Sequence, residues 1–448
     1  MDAFVITHAV IFTVDSRNWV IPDGYLHVDK GRIMSLGSME GLKLPDDLPR
    51  IDFNGDALLP GLIDCHSHSS LMRGVTENLA LMEWLPLYQR EFRAMTAEDA
   101  KCAAQLVYLE ALKSGTTCIM DMYRFMDQCG DAALELGIRA NLAPYVADMP
   151  GKDFFSTVAE NEALIESHHD AGGGRLKVWM GLEHLFYCSS GAYHNAVARA
   201  REYGIGIHTH ACEQSAEEQA VTEHFGKRSI AQLEEYGVLG ESTLLAHCVW
   251  LNDDEIKLLA DTGTAVAHCP VSNAKLASGI ARTPEMLEAG LRVGLGSDGN
   301  VCNNSLDLFE EMKFGSLIQK ANRLDPTSMP AQTLLRMATI EGARALNLDR
   351  EIGSLEVGKR ADMIRVGLNT PNLAPILLDA SGGNLLWNLV FSARGSDVHS
   401  AWVDGELLME NRRVTRIDEQ KWLQQAQAGA QKLYERASQL DAPASMTN

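Results

Sequence analysis

Hydrophobic and polar positions alternate in two different ways along this chain, and each way predicts a different kind of structure. Near the two ends, short runs alternate apolar and polar residues, as in 25–28 (YLHV) and 361–366 (ADMIRV). Alternation with a period of two is typical of β-strands with one buried face. Asp29-Lys30-Gly31 and Asp404-Gly405 lie beside such runs and predict tight turns. We therefore expect a small β-domain at the start of the chain and similar strands near its end.

The middle of the chain, about 57–355, alternates short apolar strands with amphipathic helices. Residues 97–114 and 192–203 have the spacing of helices, whereas 115–121 and 175–182 are apolar and predict strands. Repeated alternation of strand and helix predicts a parallel sheet, and a long series of this kind indicates a (β/α)8 TIM barrel of the α/β class.

A last amphipathic segment, 416–440, predicts one C-terminal helix. Trp422, Ala426 and Leu433 are spaced for one face of that helix, and Asp418 is a candidate N-cap. We expect the remaining residues, 441–448, to be disordered, as chain ends commonly are.

Composition narrows the class of protein. The chain has 448 residues, of which 46% are hydrophobic, enough to form a large core. Its 39 basic and 60 acidic residues give a net charge of −21, which argues against nucleic acid or an anionic membrane as a partner. No apolar run is long enough to span a bilayer, which takes about 18 residues, so no transmembrane helix is expected.

Targeting and cysteine signals favour the cytoplasm. The first four residues lack the basic and apolar regions of a secretory signal. The nine cysteines are scattered and odd in number, which favours reduced thiols. Four of them, Cys65, Cys212, Cys248 and Cys302, lie near the candidate site described next, where we expect them to be small core residues.

The first candidate for chemistry is the run Asp64-Cys65-His66-Ser67-His68, which follows the apolar residues 57–63. The apolar stretch is typical of a buried parallel strand. Two histidines at i and i+2 of a strand point to the same face, so both imidazoles can reach one metal ion. This spacing alone is a weak signal, because polar residues also end strands that bind nothing.

Three further strand ends carry ionisable residues. They are His208, His210 and Glu213 after 204–207, His247 after 244–246, and Asp298 after 293–297. Because the active sites of barrels gather at the C-terminal ends of the strands, we expect these side chains to meet. Imidazole and carboxylate ligands suit a divalent transition metal such as zinc or iron, with one position left open for water.

Taken together, these motifs make the chain similar to the metal-dependent amidohydrolase superfamily. The likeness is closer to its aminohydrolase branch, which holds the 5-methylthioadenosine/S-adenosylhomocysteine deaminases and the chlorohydrolase-type triazine enzymes. The matching stretches, between about residue 3 and about residue 415, are PGLIDCHSH (60–68), LMRGVTENLALMEWL (71–85), HTHACE (208–213), LLAHCVWL (244–251), AHCPVSNAKLASGIA (267–281), GLGSDGNVCNNSLDLFEEM (294–312) and IGSLEVGKRADMIRV (352–366). The resemblance implies an amidohydrolase-type barrel domain, 57–355, inserted into a discontinuous β-sandwich domain built from 1–56 and 356–415.

The resemblance also implies a mononuclear metal site. The expected ligands of one divalent ion, zinc or alternatively iron, are His66, His68, His210 and Asp298. Two-metal members of the superfamily use a carbamylated lysine at the end of the fourth strand, whereas Lys177 lies at the start of its strand here. A divalent ion in such a site lowers the pKa of a bound water toward ~7.

Catalytic roles follow from the same resemblance. Glu213 is expected to protonate a ring nitrogen of an aromatic heterocycle, and His247 to orient the attacking hydroxide. Glu213 and Asp298 would then carry protons to an amine that leaves as ammonia. Acid–base help of this kind is typically worth roughly 10²–10⁴ in rate. His208, two residues before His210, is expected to pack behind the ligands.

Four residues are candidates for binding the substrate. In the resembled deaminases a glutamate at the position of Glu83 binds ribose hydroxyls, and a histidine at the position of His184 contacts the substrate. The alternative for Glu83 is a solvated carboxylate at the start of a helix, and the alternative for His184 is a structural role at a strand end. Trp84 follows Glu83 in the same motif. Arg139 is a candidate for binding a substrate carboxylate, or equally for a surface ion pair.

Departures from the family pattern leave the substrate open. Trp250 replaces a histidine that is usual in the deaminases, and Leu185-Phe186 replace a small residue and a proline. A more aromatic pocket of this kind favours a free base, a pterin or a triazine over a nucleoside. The leading expectation is deamination of an aminopurine or adenosine-type nucleoside such as methylthioadenosine or adenosylhomocysteine. The alternatives are hydrolysis of an s-triazine or pterin at the same site, or a scaffold that has lost its metal. The family also suggests a homo-oligomer.

Overall fold

The computed structural model describes residues 3–43, 47–379 and 382–440. The predicted disordered tail, 441–448, lies outside these residues. The chain divides into two compact units. The first holds the described residues of 1–64, 110–118 and 307–417, and the second those of 65–109, 119–306 and 418–440. The division cuts through two strands, so it does not coincide with the predicted domain boundaries after residues 56 and 355.

Strands and helices are numbered here in chain order within the described residues. The strands are β1 Ala3–Phe12, β2 Val20–Asp29, β3 Arg32–Ser38, β4 Arg50–Asp52, β5 Ala57–Pro60, β6 Leu62–Ser67, β7 Thr116–Tyr123, β8 Arg139–Pro144, β9 Leu176–Val178, β10 Met180–Gly181, β11 Ile207–Ala211, β12 Thr243–His247, β13 Ala265–His268, β14 Val293–Leu295, β15 Met363–Val366, β16 Val398–Val403, β17 Glu406–Glu410 and β18 Arg413–Val414.

The helices alternate with the central strands and follow the last one. They are α1 Leu81–Ala94, α2 Ala97–Lys113, α3 Met126–Leu136, α4 Val158–His168, α5 Ala171–Gly174, α6 Ser190–Tyr203, α7 Ser215–Phe225, α8 Ser229–Glu235, α9 Asp253–Thr262, α10 Pro270–Lys275, α11 Thr283–Glu288, α12 Leu308–Arg323, α13 Ala331–Met337, α14 Ile340–Ala345, α15 Leu385–Phe391 and α16 Glu419–Ser438. Within the described ranges, none of these helices has the length and apolar character needed to cross a membrane.

The first unit contains one sheet made from both ends of the chain. Its strand order is β18-β17-β16-β15-β5-β1-β2-β3, with β4 paired to β1. Antiparallel pairing of β15 with β5, for example Ile364 opposite Leu59, joins the two ends. The predicted turns are present, since Lys30-Gly31 and Asp404-Gly405 each connect two strands with positive φ angles. Two consecutive positive φ angles define the turn that suits the right-handed twist of a two-residue hairpin.

The central strands form the sheets that carry the strand ends predicted to bind metal. One sheet has the order β10-β11-β12-β13-β14, all paired in parallel, and the other has the order β6-β7-β8-β9. The predicted strand 175–182 is interrupted at Trp179, whose backbone N–H donates to Leu142 in β8 at 2.9 Å. Parallel pairing places successive C-terminal strand ends at one edge, where their side chains converge.

The C-terminal helix α16 belongs to the second unit. It begins where the sequence predicts, because the Asp418 side chain accepts a hydrogen bond from the Lys421 N–H at 3.0 Å. Trp422, Ala426 and Leu433 are buried on one face of the helix. Arg436, near its end, forms an ion pair with Asp99 in α2, which ties the helix to other residues of the second unit.

Candidate active site

Three strand ends of the second unit bring the four predicted metal ligands together. His66 lies in β6, His68 just beyond it, His210 in β11, and Asp298 three residues after β14. All four side chains are buried. The His68 Nε2 and Asp298 Oδ1 atoms are 3.2 Å apart, and His66 Nε2 is 3.7 Å from the same oxygen. His210 Nε2 lies 3.4 Å from His68 Nε2. Four side chains from three separate stretches of chain therefore point at one spot.

The spacing of these atoms fits one metal ion. The ligand atoms of His66, His68 and Asp298 lie within 4.8 Å of one another, as do those of His66, His210 and His247. Ligand atoms about 2.0–2.1 Å from a tetrahedral zinc ion lie roughly 3.4 Å from each other. The observed separations of 3.2–3.7 Å therefore fit a single ion held by imidazole nitrogen and carboxylate oxygen.

Hydrogen bonds outside the ligand cluster fix the imidazole tautomers. His208 Nδ1 must donate to the Leu244 carbonyl at 2.9 Å, so its Nε2 accepts from His66 Nδ1 at 2.8 Å. His68 Nδ1 likewise donates to the Met122 carbonyl at 2.6 Å. Both ligand histidines then present an Nε2 lone pair to the shared spot, the arrangement that such outer partners impose in metalloproteins. The structure thus places His208 directly behind His66.

Burial and neighbouring charges favour the ionisation state that a metal needs in three of the four side chains, whereas Asp298 raises the pKa of His68, whose proton a bound cation would have to displace. Burial, together with the nearby His68, holds the pKa of His66 well below its usual range. Burial, together with His184, does the same for the pKa of His210. Burial alone would raise the pKa of Asp298, but hydrogen bonding and the charge of His68 outweigh it and keep that pKa low. Neutral imidazole and ionised carboxylate are the forms that bind divalent ions.

Glu213 lies beside the ligand cluster, between two histidines. Its Oε2 atom is 3.5 Å from His184 Nε2 and 3.6 Å from His247 Nε2. His247 Nδ1 donates to Asn273 Oδ1 at 3.0 Å, and His184 Nδ1 is 2.8 Å from Glu183 Oε2. Each histidine is therefore held from behind and presents its other nitrogen to Glu213. A buried carboxyl in this setting can exchange protons with a bound molecule.

Backbone strain marks the same strand ends. His247, Asp298 and Cys212 have φ angles of 71°, 62° and 52°, in the left-handed region that non-glycine residues seldom adopt. Each such residue costs on the order of 1–3 kcal/mol, and residues of this kind cluster at functional sites. The turn that each makes lets the chain leave its strand while the side chain stays over the strand ends.

Helix α1 closes the site from above. Leu81, Trp84, Leu85 and Tyr88, spaced along one face of α1, line a cavity of about 20 Å³ that His210, Glu213 and Asp298 also line. Tyr145 lies against the ligands, with its ring centroid 5.3 Å from that of His68 and 5.8 Å from that of His210. The walls around the ligands are therefore aromatic and apolar.

The structure brings most of the predicted site residues together. His66, His68, His184, His210, Glu213, His247, Asp298 and Trp84 meet around this cavity or at its floor. Glu83 does not join them, because it lies on the exposed face of α1. Lys177, the lysine compared above with the carbamylated ligand of two-metal enzymes, forms an ion pair with Asp170. This pair lies at the end of its strand opposite to the metal ligands.

Arg139, a candidate for binding a substrate carboxylate or for a surface ion pair, does not lie with the other candidate site residues. Arg139 is the first residue of β8, so it lies at the N-terminal end of the strand, whereas Pro144 and Tyr145 lie at the end near the ligands. Its guanidinium donates to the Gly174 carbonyl at 3.3 Å, and the side chain is buried. Arg139 therefore holds the loop before β9.

Trp250 also stays outside the cavity lining. Its indole N–H donates to the Ser278 carbonyl at 2.7 Å, and 45% of the residue is exposed. Phe186 stacks on His184 at 5.0 Å between ring centroids and lines a separate cavity of about 920 Å³. Of the two departures named above, Phe186 contacts the site, through His184.

Several site residues received no role from the sequence. Ser272 donates to Asp298 Oδ2 at 2.6 Å, and Asn273 orients His247. Both lie in AHCPVSNAKLASGIA (267–281), a stretch that the resemblance singled out. Tyr145 directly follows β8, the same strand-end position that identified the histidines. Cys302, expected to be a small core residue, is buried and lines the cavity.

Glu91 gives the α1 region a predicted pH dependence. Its buried carboxylate accepts hydrogen bonds from Ser70 Oγ at 2.8 Å and from the Tyr123 hydroxyl at 3.0 Å. Burial nevertheless raises the pKa of Glu91 from 4.5 to about 7. The folded protein therefore keeps this proton over a pH range in which the unfolded chain releases it, so the residue costs stability as pH rises from about 4.5 to about 7.

We expect Glu91→Gln, which imitates the neutral acid, to remove that cost. At pH 8 the variant should be more stable than the native protein by up to about 3 kcal/mol, and at pH 5 the difference should fall below about 1 kcal/mol. Chemical denaturation at both pH values measures this, with the exposed Glu98→Gln in α2 as control. A Glu91→Gln effect that is the same at both pH values would contradict the assignment.

Comparison with known proteins agrees with this geometry. The amidohydrolase family model matches residues 57–408. A 5′-deoxyadenosine deaminase from Methanosarcina mazei is 38% identical over 98% of this chain and 100% of its own length. A 5-methylthioadenosine/S-adenosylhomocysteine deaminase from Desulforudis audaxviator is 39% identical over 92% of this chain and 95% of its own.

A solved structure shares the fold closely. An adenosine deaminase from Xanthomonas campestris with bound zinc superposes with a TM-score of 0.89 at 27% identity, over 98% of this chain and 99% of that one. A zinc-containing atrazine chlorohydrolase from Arthrobacter aurescens has a TM-score of 0.86 at 24% identity, over 95% of this chain and 100% of its own, which shows likeness of fold alone. The resemblance inferred from the motifs is confirmed, and the chain is a member of the amidohydrolase family.

Proposed function

We propose that this chain is a hydrolytic deaminase of an adenosine-type nucleoside, with a 5′-deoxy or 5′-thioether nucleoside as its substrate. The observation that carries the proposal is the buried Glu213 carboxyl, 3.6 Å from His247 and directly beside the four-ligand cluster. Relatives that are 38–39% identical over nearly the whole chain are named as deaminases of such nucleosides. The overall reaction exchanges a ring amino group for the oxygen of water and releases ammonia.

Each site residue has a separate role in that exchange. A divalent ion in the site supplies Lewis acidity that lowers the pKa of water to about 7. Glu213 gives its proton to the ring nitrogen next to the carbon that bears the amino group, which makes that carbon electrophilic. His247 Nε2 orients the attacking oxygen, and Asp298 accepts its proton. Asp298 then passes that proton to the amine, which leaves as ammonia, and Glu213 takes back the remaining hydroxyl proton as the ring carbonyl forms.

We propose zinc as the resident metal. Two or three imidazoles with one carboxylate form a donor set that suits zinc, and iron is the alternative for the same ligands. The adenosine deaminase of similar fold contains zinc. Metal analysis of protein purified without chelator, expected to give one zinc per chain, tests the choice.

We also infer that the central strands β6 to β14, with β9 and β10 counted as one interrupted strand, close into one (β/α)8 barrel. The Asp298 N–H donates to the His66 carbonyl at 2.8 Å, which links the end of one sheet to the start of the other. The remaining edges of the two sheets are joined through β9 and β10, which are separated by one residue. For the sheet of the chain ends, we propose the sandwich-like curl expected from the family, which the register shifts in β1 and β16 support.

Two further expectations stay proposals. A reducing, cytoplasmic location is supported by nine buried cysteines, none of which forms a disulfide within the described residues. A homo-oligomer is the state we expect from the family, and light scattering of the purified protein tests it.

A substrate panel tests the proposed function. Zinc-loaded protein is assayed for ammonia release from 5′-deoxyadenosine, methylthioadenosine, adenosylhomocysteine, adenosine, adenine, an aminopterin-type ring and an aminotriazine. We expect turnover of the nucleosides and little release from the free rings. Activity confined to triazines, pterins or adenine would contradict the proposal. The exposed His194→Ala on α6 serves as a control for handling and folding.

A further inference from the structure

The cavity over the metal ligands is too small for an organic substrate. Its volume of about 20 Å³ has room for about one water molecule, whereas sites for small molecules usually enclose roughly 300–1,000 Å³. The second cavity, of about 920 Å³, lies directly beside it. Neighbouring residues line the two spaces, since Leu81 and His184 line the small cavity and Met82 and Leu185 line the large one. A substrate can therefore reach the ligands only when part of the wall around the small cavity moves.

Residues 81–85, the first part of α1, are held in this wall by apolar packing. Their buried side chains line the small cavity, whereas Glu83 is exposed. Ala80, just before the helix, forms no side-chain cap. Within the described part of the chain, the buried indole N–H of Trp84 has no hydrogen-bond partner, which makes this position of the segment less stable. Among the described residues, the segment can therefore move without breaking a hydrogen bond or ion pair of its own side chains.

From Gln89 onward, polar contacts fix α1 to its neighbours. The Gln89 side chain donates to the Tyr187 hydroxyl at 2.6 Å and accepts from the Lys152 ammonium at 2.9 Å. The Ala94 carbonyl accepts from the guanidinium of Arg436 in α16 at 3.1 Å. The second part of α1 is therefore held by directional contacts, unlike residues 81–85.

Pro86 separates the two parts of the helix. A proline inside a helix has no N–H to donate to the carbonyl four residues before it, so the Met82 carbonyl lacks its helical partner. The helical hydrogen bonds that still cross this point are those donated by residues 87–89. Because helices bend most readily where this ladder is interrupted, Pro86 marks the natural hinge of α1.

We propose that residues 81–85 form a lid that bends away at Pro86 and joins the two cavities into one space large enough for a substrate. Opening parts the Trp84 ring from Tyr88, on which it stacks with centroids 4.5 Å apart. With a substrate bound, the lid rests on it and keeps bulk water away from the ligands. The lid is needed for any substrate larger than water, so the proposal does not depend on the nucleoside.

Hydrogen exchange of the zinc-loaded protein without substrate tests the lid. Opening frees the backbone N–H groups of residues 87–89, whose helical acceptors lie in the lid, but not those of residues 92–94. We expect the first group to exchange at least about 100-fold faster than the second, measured by mass spectrometry with residue-level fragmentation. Equal exchange in the two groups would overturn the proposal.

Pro86→Ala restores the missing hydrogen bond across the hinge and should hold the lid closed more firmly. We expect exchange at 87–89 to slow by about 3- to 10-fold, the usual effect of one net hydrogen bond, and exchange at 92–94 to change less than about twofold. kcat/KM for 5′-deoxyadenosine should fall by a similar factor, because the substrate binds the open form. Pro284→Ala is the matched control, since Pro284 lies in the first turn of α11, where an N–H has no helical partner.

The outcomes separate the lid from the rest of the account. Native exchange at 87–89 in Pro86→Ala would overturn the proposal. Slowing of 87–89 and 92–94 by the same factor would also overturn it, because that result reports a more stable protein as a whole. If the native protein does not turn over nucleosides, the proposed function fails, but the exchange experiment still decides whether the lid exists.

Discussion

Replacing Glu213 by glutamine is expected to lower kcat for 5′-deoxyadenosine by about 10³-fold, with little change in KM. Glutamine keeps the shape and can still form hydrogen bonds, but it cannot give up and take back a proton. General acid–base groups are typically worth roughly 10²–10⁴ in rate, and Glu213 is proposed to act in more than one proton transfer. Steady-state kinetics of zinc-loaded protein measure the effect.

The zinc content of the variant shows whether Glu213→Gln has lost proton transfer or has lost the metal site. Glu213 is not among the clustered ligand groups, so Glu213→Gln should keep the same zinc per chain as the native protein. The exposed Glu241→Gln serves as a matched control and should retain native kcat. A kcat for zinc-loaded Glu213→Gln within about threefold of the native value would contradict the proton-transfer role.

Replacing His210 by alanine should cost the protein its metal. His210 Nε2 is 3.4 Å from His68 Nε2, inside the ligand cluster, and its removal leaves three ligands. Changes to residues that only support a ligand usually cost 10–100-fold in metal affinity, so loss of a ligand should exceed about 100-fold. Competition with a chelator of known affinity measures this, and activity at limiting zinc should fall in step.

His208 provides a graded comparison for that experiment. It supports His66 from behind at 2.8 Å and does not face the shared spot, so His208→Gln should weaken zinc binding by about 10–100-fold. The exposed His194→Ala should not change it. Retention of one tightly bound zinc by His210→Ala would contradict the ligand assignment, as would a larger loss in His208→Gln than in His210→Ala.

The convergence of the candidate ligands was predictable because the ends of buried strands can be recognised in the sequence. An apolar run followed by His66 and His68, or by Asp298, indicates a buried strand and the end at which it stops. Parallel strands end at a common edge of the sheet. The convergence of residues that are far apart in sequence can therefore be predicted without knowing which strands are neighbours. The turns at Lys30-Gly31 and Asp404-Gly405 were predictable for a local reason, since each needs positive φ angles.

The walls of the site were not predictable in the same way. An amphipathic pattern shows that α1 has a buried face but not what that face covers, so Tyr88 received no role. The pairing of β5 with β15 joins residues about 300 apart and depends on the whole fold. The position of Arg139 could not be predicted from residue type alone, because it depends on the direction of the strand, of which Arg139 is the first residue.

The most direct test of the central claim is the fate of the substrate in water labelled with ¹⁸O. Zinc-loaded protein is incubated with 5′-deoxyadenosine, and the products are identified by mass spectrometry together with ammonia. The account predicts 5′-deoxyinosine that carries one oxygen from the solvent, with one ammonia released for each molecule formed. Free adenine, an unlabelled product, or intact 5′-deoxyadenosine in the presence of bound zinc would contradict it.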